Sequence, residues 1–141
     1  MFFGEYPYKV DDKGRLPLPP KFRREMRDGV ILTRGIEKCI TVYPLAEWKR
    51  LADSLAAKAV TPSGLRKVNR AIFGSAFSAS FDSQGRLTLP WPLRSYADIG
   101  DASYVIGANN CVELWDEEGW KAEKISADEQ ASQIIESFEA Q

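Results

Sequence analysis

The apolar positions of this chain change period several times, and the whole series of changes occurs twice. Tyr6, Tyr8 and Val10 alternate with Pro7 and Lys9, and Phe77, Ala79 and Phe81 alternate with Ser78 and Ser80. That period of two predicts half-buried strands. Each strand then meets a break, Asp11 to Gly14 and Asp82 to Gly85, after which alternation resumes in Leu16 and Leu18 and in Leu87 and Leu89. An Asp accepts from backbone N–H groups just ahead of it, and a Gly three residues on supplies a positive φ where the turn needs one. Each copy therefore predicts strand, tight turn and strand, with Arg15 or Arg86 opposite the apolar face.

Prolines next mark helix starts: Pro19 or Pro20 in the first copy and Pro92 in the second. The short helices run over 21–27, with Phe22 and Met26 sharing a face, and over about 92–99. Gly29 and Gly100 are placed to stop them. Two hairpins follow, 30–33 with 39–43 around Gly35, and 103–106 with 111–115 around Gly107, Asn109 and Asn110. Pro44 opens a helix whose Leu45, Trp48, Leu51 and Leu55 form a stripe expected to pack into the core. Asp116 is the expected N-cap of the corresponding second helix. Thr61-Pro62-Ser63-Gly64 separates the copies. A helix over 65–73 follows, with Leu65, Val68 and Ile72 on one face and Arg66, Lys67 and Arg70 on the other. Ser126-Ala127-Asp128-Glu129 has the spacing of a capping box before a last helix with a modest apolar side.

The periodicity reflects an internal duplication. VDDKGRLPLP at 10–19 aligns with FDSQGRLTLP at 81–90 at a constant offset of 71, and Phe22-Arg23 with Leu93-Arg94. With one inserted residue, Cys39 aligns with Cys111, Tyr43 with Trp115, Trp48 with Trp120 and Lys49 with Lys121. The modules span 5–47 and 76–119.

Composition narrows the chemistry. The 141 residues, 44% hydrophobic, suffice for one core, and the net charge of −1 is not that of a protein basic throughout. The charge is nevertheless uneven: 9–27 holds seven Lys or Arg against three acids, while 113–141 holds nine acids against two Lys. There is no histidine, which removes His-based catalysis and most zinc sites. The two cysteines, equivalent and mid-strand, read as small core residues. No apolar run approaches the ~20 residues needed to cross a membrane, and no leader is evident, so a cytoplasmic protein without membrane partners is expected.

A hydrophobic residue, Asp-x-x-Gly-Arg, a hydrophobic-x-hydrophobic-Pro strand and an Arg a few residues on resemble the AbrB-type swapped-hairpin DNA-binding module. Two such modules, an opening Met-Phe-x-Gly, Tyr-Pro-Leu-x-Glu-Trp at 43–48 and Glu113-Leu-Trp-Asp116 resemble the MraZ family of bacterial transcriptional regulators, over roughly residues 1–123. The resemblance implies an α+β, β-dominated fold, in which two pseudo-symmetric halves form one small β-barrel with flanking helices. It also implies a nucleoid-associated homo-oligomer, a ring, that binds double-stranded DNA at direct repeats in the promoter of its own division and cell-wall operon. Arg15 and Arg86 match the signature as DNA contacts, while Asp11, Gly14, Asp82 and Gly85 shape the turns. Lys13, Lys21 and Arg24, replaced in the second copy by Gln84, Pro92 and Ser95, are expected at phosphates. Arg23 and Arg94 occur in both copies and have two readings, DNA contact or support of the motif aspartates and helix carbonyls.

Two other classes compete. A pepsin-like pair of carboxylates needs Gly directly after Asp-Ser or Asp-Thr, whereas Gln84 intervenes between Ser83 and Gly85 and Asp11 has no hydroxyl neighbour. No nucleophile–base pair or phosphate-cradling Gly loop occurs, so no enzyme, cofactor, metal or small-molecule ligand is expected. An AbrB-like antitoxin binding a toxin protein would carry one module and a long flexible tail, whereas this chain spends its length on a second module.

Overall fold

The computed structural model describes residues 1–58 and 61–140. The first copy supplies β1 (Glu5–Lys9), β2 (Arg15–Pro17), α1 (Pro20–Arg24), β3 (Val30–Arg34), β4 (Ile40–Pro44) and α2 (Leu45–Ala57). A connecting helix α3 (Pro62–Val68) continues as a π-helical turn, Asn69–Phe73. The second copy supplies β5 (Phe77–Ala79), β6 (Arg86–Thr88), α4 (Trp91–Tyr96), β7 (Ala102–Gly107), β8 (Val112–Asp116) and α5 (Glu117–Glu139).

Each copy lends its first strand to the other. The six-stranded antiparallel sheet runs β1-β7-β8-β4-β3-β5, so the β7–β8 hairpin is flanked by β1 and the β4–β3 hairpin by β5. The fold is α+β with strands from both halves interleaved. A separate ladder joins β2 and β6, with Leu16 directly opposite Leu87. These two leucines are equivalent in the duplication, as are Thr41 and Glu113, which face each other where β4 meets β8. Both meeting points therefore lie on the pseudo-two-fold axis.

One core serves both halves. Leu16, Leu18, Leu87 and Leu89 are buried beneath the ladder, with Phe22 and Met26 from the first copy and Leu93 and Ala97 from the second. Phe22 takes the edges of Phe2 and Tyr6 at 5.2 and 5.5 Å between ring centres. Each buried Leu is worth ~1.5–3 kcal/mol, so neither module could form its half of the core alone at comparable stability. The connecting segment is fastened too: the Thr33 hydroxyl, 1% exposed, donates to the Ile72 carbonyl at 2.6 Å and lies 3.0 Å from Ser75 Oγ.

Several local expectations are corrected. The α2 stripe is not core: no residue of α2 is buried, and Leu45 is 42% exposed. No helix begins at Ser126, because α5 runs unbroken from its N-cap Asp116, whose Oδ2 accepts from the Glu118 N–H. The end of α4 does not use Gly100; Asp98, at φ +53, takes the left-handed position, and the Ile99 N–H closes back on the Arg94 carbonyl. The helix over 65–73 keeps α-helical geometry only to Val68. Cys39 and Cys111 are free thiols that precede β4 and β8 rather than sitting mid-strand.

Leu16→Ala and Leu87→Ala should each lower unfolding free energy by about 2–5 kcal/mol in urea titrations. Because the two side chains meet across the ladder, the double variant should depart from the sum of the singles.

Candidate nucleic-acid interface

The two conserved-offset turns close alike to a few tenths of an ångström. Asp11 Oδ1 accepts from the backbone N–H groups of Lys13 and Arg15, each at 2.9 Å, and Oδ2 takes Arg15 Nε at 2.7 Å. In the second copy Asp82 Oδ1 accepts from the N–H groups of Gln84 and Arg86, and Oδ2 takes Arg86 Nε, all at 2.9 Å. The main chain repeats the pattern: the N–H of Gly14 and of Gly85 returns to the carbonyl of Asp11 and of Asp82 at 3.0 Å. Gly14 and Gly85 have φ of +74° and +75°, a region that costs other L-residues energy.

Each carboxylate thus serves two purposes. It satisfies the N–H groups that the turn leaves free, and it fixes an arginine by Nε alone. The terminal nitrogens of Arg15 and Nη2 of Arg86 are outside these tethers, and the arginine side chains keep 28% and 23% exposure. The backbone N–H of the following arginine is the main reason each aspartate is held below the usual carboxylate range; the arginine side chain comes next for Asp11, and the N–H of Gln84 comes next for Asp82.

The ladder brings the two turns together. Arg86 Nη1 reaches Asp11 Oδ2 at 3.5 Å, so one arginine spans the carboxylates of both copies. The Leu89 N–H donates to the Gly14 carbonyl at 2.8 Å, and the Leu18 N–H to the Gly85 carbonyl at 3.4 Å. Asp11, Arg15, Asp82 and Arg86 form a single four-residue cluster, with the buried leucines behind it.

Arg23 braces this arrangement from the opposite copy, whereas the hydrogen bonds of Arg94 stay within its own copy. Arg23 Nη1 donates to the Gly85 carbonyl at 3.3 Å, and a Cβ at position 85 would run into its guanidinium. Arg94 lies beside Gly14, donates through Nε to the Ile99 carbonyl at 2.9 Å, and has Asp101 3.9 Å from Nη2. Of the remaining cations, Lys13 and Arg24 are exposed, while Lys21 Nζ sits 4.7 Å from the ring centre of Phe3 and 5.2 Å from that of Tyr6. With Gln84, Pro92 and Ser95 at the equivalent positions, a nearly symmetric pair of motifs carries an asymmetric set of charges.

Sequence reasoning missed two features. The cross-copy contact of Arg86 with Asp11 has no local signal, since the residues are brought together by the swap. A cavity of about 450 Å³, lined by Thr33, Leu51, Leu55, Val68, Ile72 and Glu113 among others, is likewise assembled from separate elements. Burial raises the Glu113 carboxyl above its ordinary range and pushes the Cys111 thiol up to about 11, so neither is a ready nucleophile. Among the described residues, no group of three or more His, Cys, Asp or Glu could hold a metal, and no helix is long and apolar enough to cross a membrane.

A duplicated, swapped-hairpin α+β protein that holds a pair of aspartate-buttressed arginines on one ladder is the class these features define. The family described as "MraZ protein, putative antitoxin-like" matches at residues 1–68 and again at 72–139. The chain is 55% identical over 140 residues to a transcriptional regulator MraZ of Dehalococcoides mccartyi, covering 99% of each chain. It is 43% identical over 136 residues to that of Frankia alni, covering 96% of this chain and 95% of the relative. With the transcriptional regulator MraZ of Thermomicrobium roseum the identity is 39% over 123 residues, 87% of each. The chain belongs to the MraZ family.

A group whose pKa is lowered on folding adds stability above its unfolded pKa and loses it as pH falls through the folded one. Asp11 and Asp82 should therefore stabilise the fold above about pH 4 and cease to do so in stronger acid. The double variant Asp11→Asn/Asp82→Asn should melt earlier than wild type at pH 7, with the difference shrinking toward pH 2 in calorimetric scans.

Proposed function

We propose that the chain is a sequence-specific DNA-binding transcriptional regulator that reads double-stranded DNA with Arg15 and Arg86. The observation that carries this reading is the paired buttress: each arginine is tethered through Nε to an aspartate, on a ladder that sets the two side by side. A guanidinium pairs bidentately with the O6 and N7 of guanine in the major groove, provided its own orientation is fixed. The transcriptional-regulator names of the relatives support the same reading. The asymmetric set of Lys13, Lys21 and Arg24 supplies phosphate contacts chiefly from the first copy, which position the subunit. Asp11, Gly14, Asp82 and Gly85 shape the turns, Arg23 braces the second of them, and Arg94 holds the end of α4.

One ladder offers few contacts, so a single subunit binds weakly. Subunits joined head to tail in a closed ring present their ladders in one direction and gain by effective concentration on direct repeats of matching spacing. Such repeats are expected in the promoter of the protein's own division and cell-wall operon, which makes the protein nucleoid-associated and cytoplasmic. An antitoxin role has the wording of the family description in its favour, and capture of a toxin protein by a variant lacking both motifs would support it.

Footprinting on the DNA upstream of the gene tests the proposal. Arg15→Ala or Arg86→Ala should cost roughly 1–3 kcal/mol per engaged contact and relax specificity at particular bases, and the double variant should lose specific protection. Truncating either arginine leaves the buried leucines of the ladder in place, so both variants should still fold. Lys13→Ala should weaken all sequences alike and make the salt dependence shallower by roughly one unit of log K against log salt per engaged subunit.

A further inference from the structure

We infer that the cleft between α1 and the second turn is a phosphate subsite, which holds a phosphodiester of the DNA backbone beside Arg86. The inference rests on the DNA-binding reading above and adds a site to it, with Arg27 and Ser83 as its contacts. The cleft, of about 500 Å³, is lined by Arg23 and Arg27 from the first copy and by Ser80, Ser83 and Gln84 from the second. It exists because of the swap. Arg23 lies across Gly85 and donates to its carbonyl at 3.3 Å, which sets the end of α1, and Arg27 just beyond it, against the turn of the other copy.

The donors in this cleft suit an anion. Arg27, Ser83 and Gln84 are exposed, so a guanidinium, a hydroxyl and an amide open on the same space beside Arg23. Asp82 is the acid in the wall, and its oxygens are already taken by the N–H groups of Gln84 and Arg86 and by Arg86 Nε. A guanidinium offers a planar pair of donors that matches two oxygens of a phosphate, in hydrogen bonds of the strong, charge-assisted kind.

The first turn is the control that the duplication provides. At the offset of 71, Asp98 stands where the cleft has Arg27, and Asp12 where it has Ser83; Lys9 and Lys13 replace Ser80 and Gln84. Arg94, the equivalent of Arg23, is drawn to the carbonyls of Ile99 and Gly100 at 2.9 and 3.4 Å, with Asp101 3.9 Å from Nη2. Cations there meet acids, whereas the second cleft holds two arginines and a carboxylate already committed. The first copy is the more basic in sequence, but α1 delivers part of that charge to the second turn. Arg86 springs from the same turn as Ser83 and Gln84, so a phosphate held there positions the strand whose base edge Arg86 reads. That continuity selects the DNA backbone over a free anion of the same chemistry.

The test is binding of the full-length protein to its upstream DNA, and to copies in which single phosphates are replaced by neutral methylphosphonates. In wild type, one substituted position in each repeat should lower affinity through this cleft. Arg27→Ala should weaken upstream and unrelated DNA alike, roughly tenfold per engaged subunit, and make the salt slope shallower by about 0.9 per engaged subunit. At that position the methylphosphonate should cost Arg27→Ala nothing further, while the other sensitive positions keep their effect. Ser83→Ala should point to the same position with a smaller loss. Arg70→Ala, which removes the same charge from an exposed place on the connecting segment, should leave slope and map as in wild type. All three substitutions alter exposed side chains, and thermal melting checks that each variant folds. A loss confined to particular bases, an equal loss in Arg70→Ala, or an unchanged methylphosphonate map in Arg27→Ala would overturn the inference. So would uptake of inorganic phosphate by wild type and not by Arg27→Ala with DNA binding unmoved, which would give the cleft to a free anion. Wild-type binding by Arg27→Ala alongside loss of specific binding in Arg15→Ala/Arg86→Ala would sink this site alone; a wild-type protein that binds no DNA would sink the functional reading and the site with it.

Discussion

A single carboxylate in a five-residue stretch tethers the arginine that follows the turn in each module. Asp11 spends one oxygen on the N–H groups of Lys13 and Arg15 and the other on Arg15 Nε, and Asp82 treats Gln84 and Arg86 in the same way. The geometry requires the glycine at φ near +75°, because the chain must reverse within three residues for the arginine N–H to face the carboxylate. It requires arginine rather than lysine, since only a guanidinium can be gripped at one nitrogen while the others face elsewhere. The buried leucines that follow that arginine, Leu16 and Leu18 or Leu87 and Leu89, hold the strand against the core, so the tether is not left to the ion pair alone.

Duplication makes the arrangement self-sufficient within one chain. Each half contributes a strand to the other's hairpin and a leucine to the other's ladder, and the first adds an arginine to the second's turn. The pseudo-two-fold axis sets Leu16 against Leu87 and Thr41 against Glu113. Identical halves would impose matching charge on both sides of the axis. Covalent fusion frees them to diverge, and Lys13, Lys21 and Arg24 against Gln84, Pro92 and Ser95 are the outcome.

How much of this could be read from the sequence depended on range. The turns, the hairpins and the Asp116 cap were legible because their hydrogen bonds close within a few residues. The swap itself came from family resemblance, as the duplication alone shows only two equivalent halves. The Leu45 to Leu55 stripe was misread because a helical apolar face announces that something covers it, not what does; here Trp48 packs on Tyr43 and Phe73, Leu51 and Leu55 line a cavity, and none of them is fully buried. The capping-box pattern at Ser126 lost to helix propagation, since extending a helix already nucleated at Asp116 costs far less than ending it and starting another. Asp98 took the left-handed position expected near Gly100, a substitution that Asp tolerates better than most residues. The bridge from Arg86 to Asp11 spans the two copies and left no local trace.

The most direct test of the tethered-arginine account keeps the charge and removes the fork. In Arg15→Lys/Arg86→Lys the net charge is unchanged, but an ammonium occupied by its aspartate has no second planar edge for a base. Quantitative binding to the upstream DNA should show specific affinity falling to the level measured on unrelated DNA, while nonspecific binding and its salt dependence stay as in wild type. Retention of wild-type specificity by the lysine variant would mean that charge alone suffices and that the tethered guanidinium is not what reads the sequence.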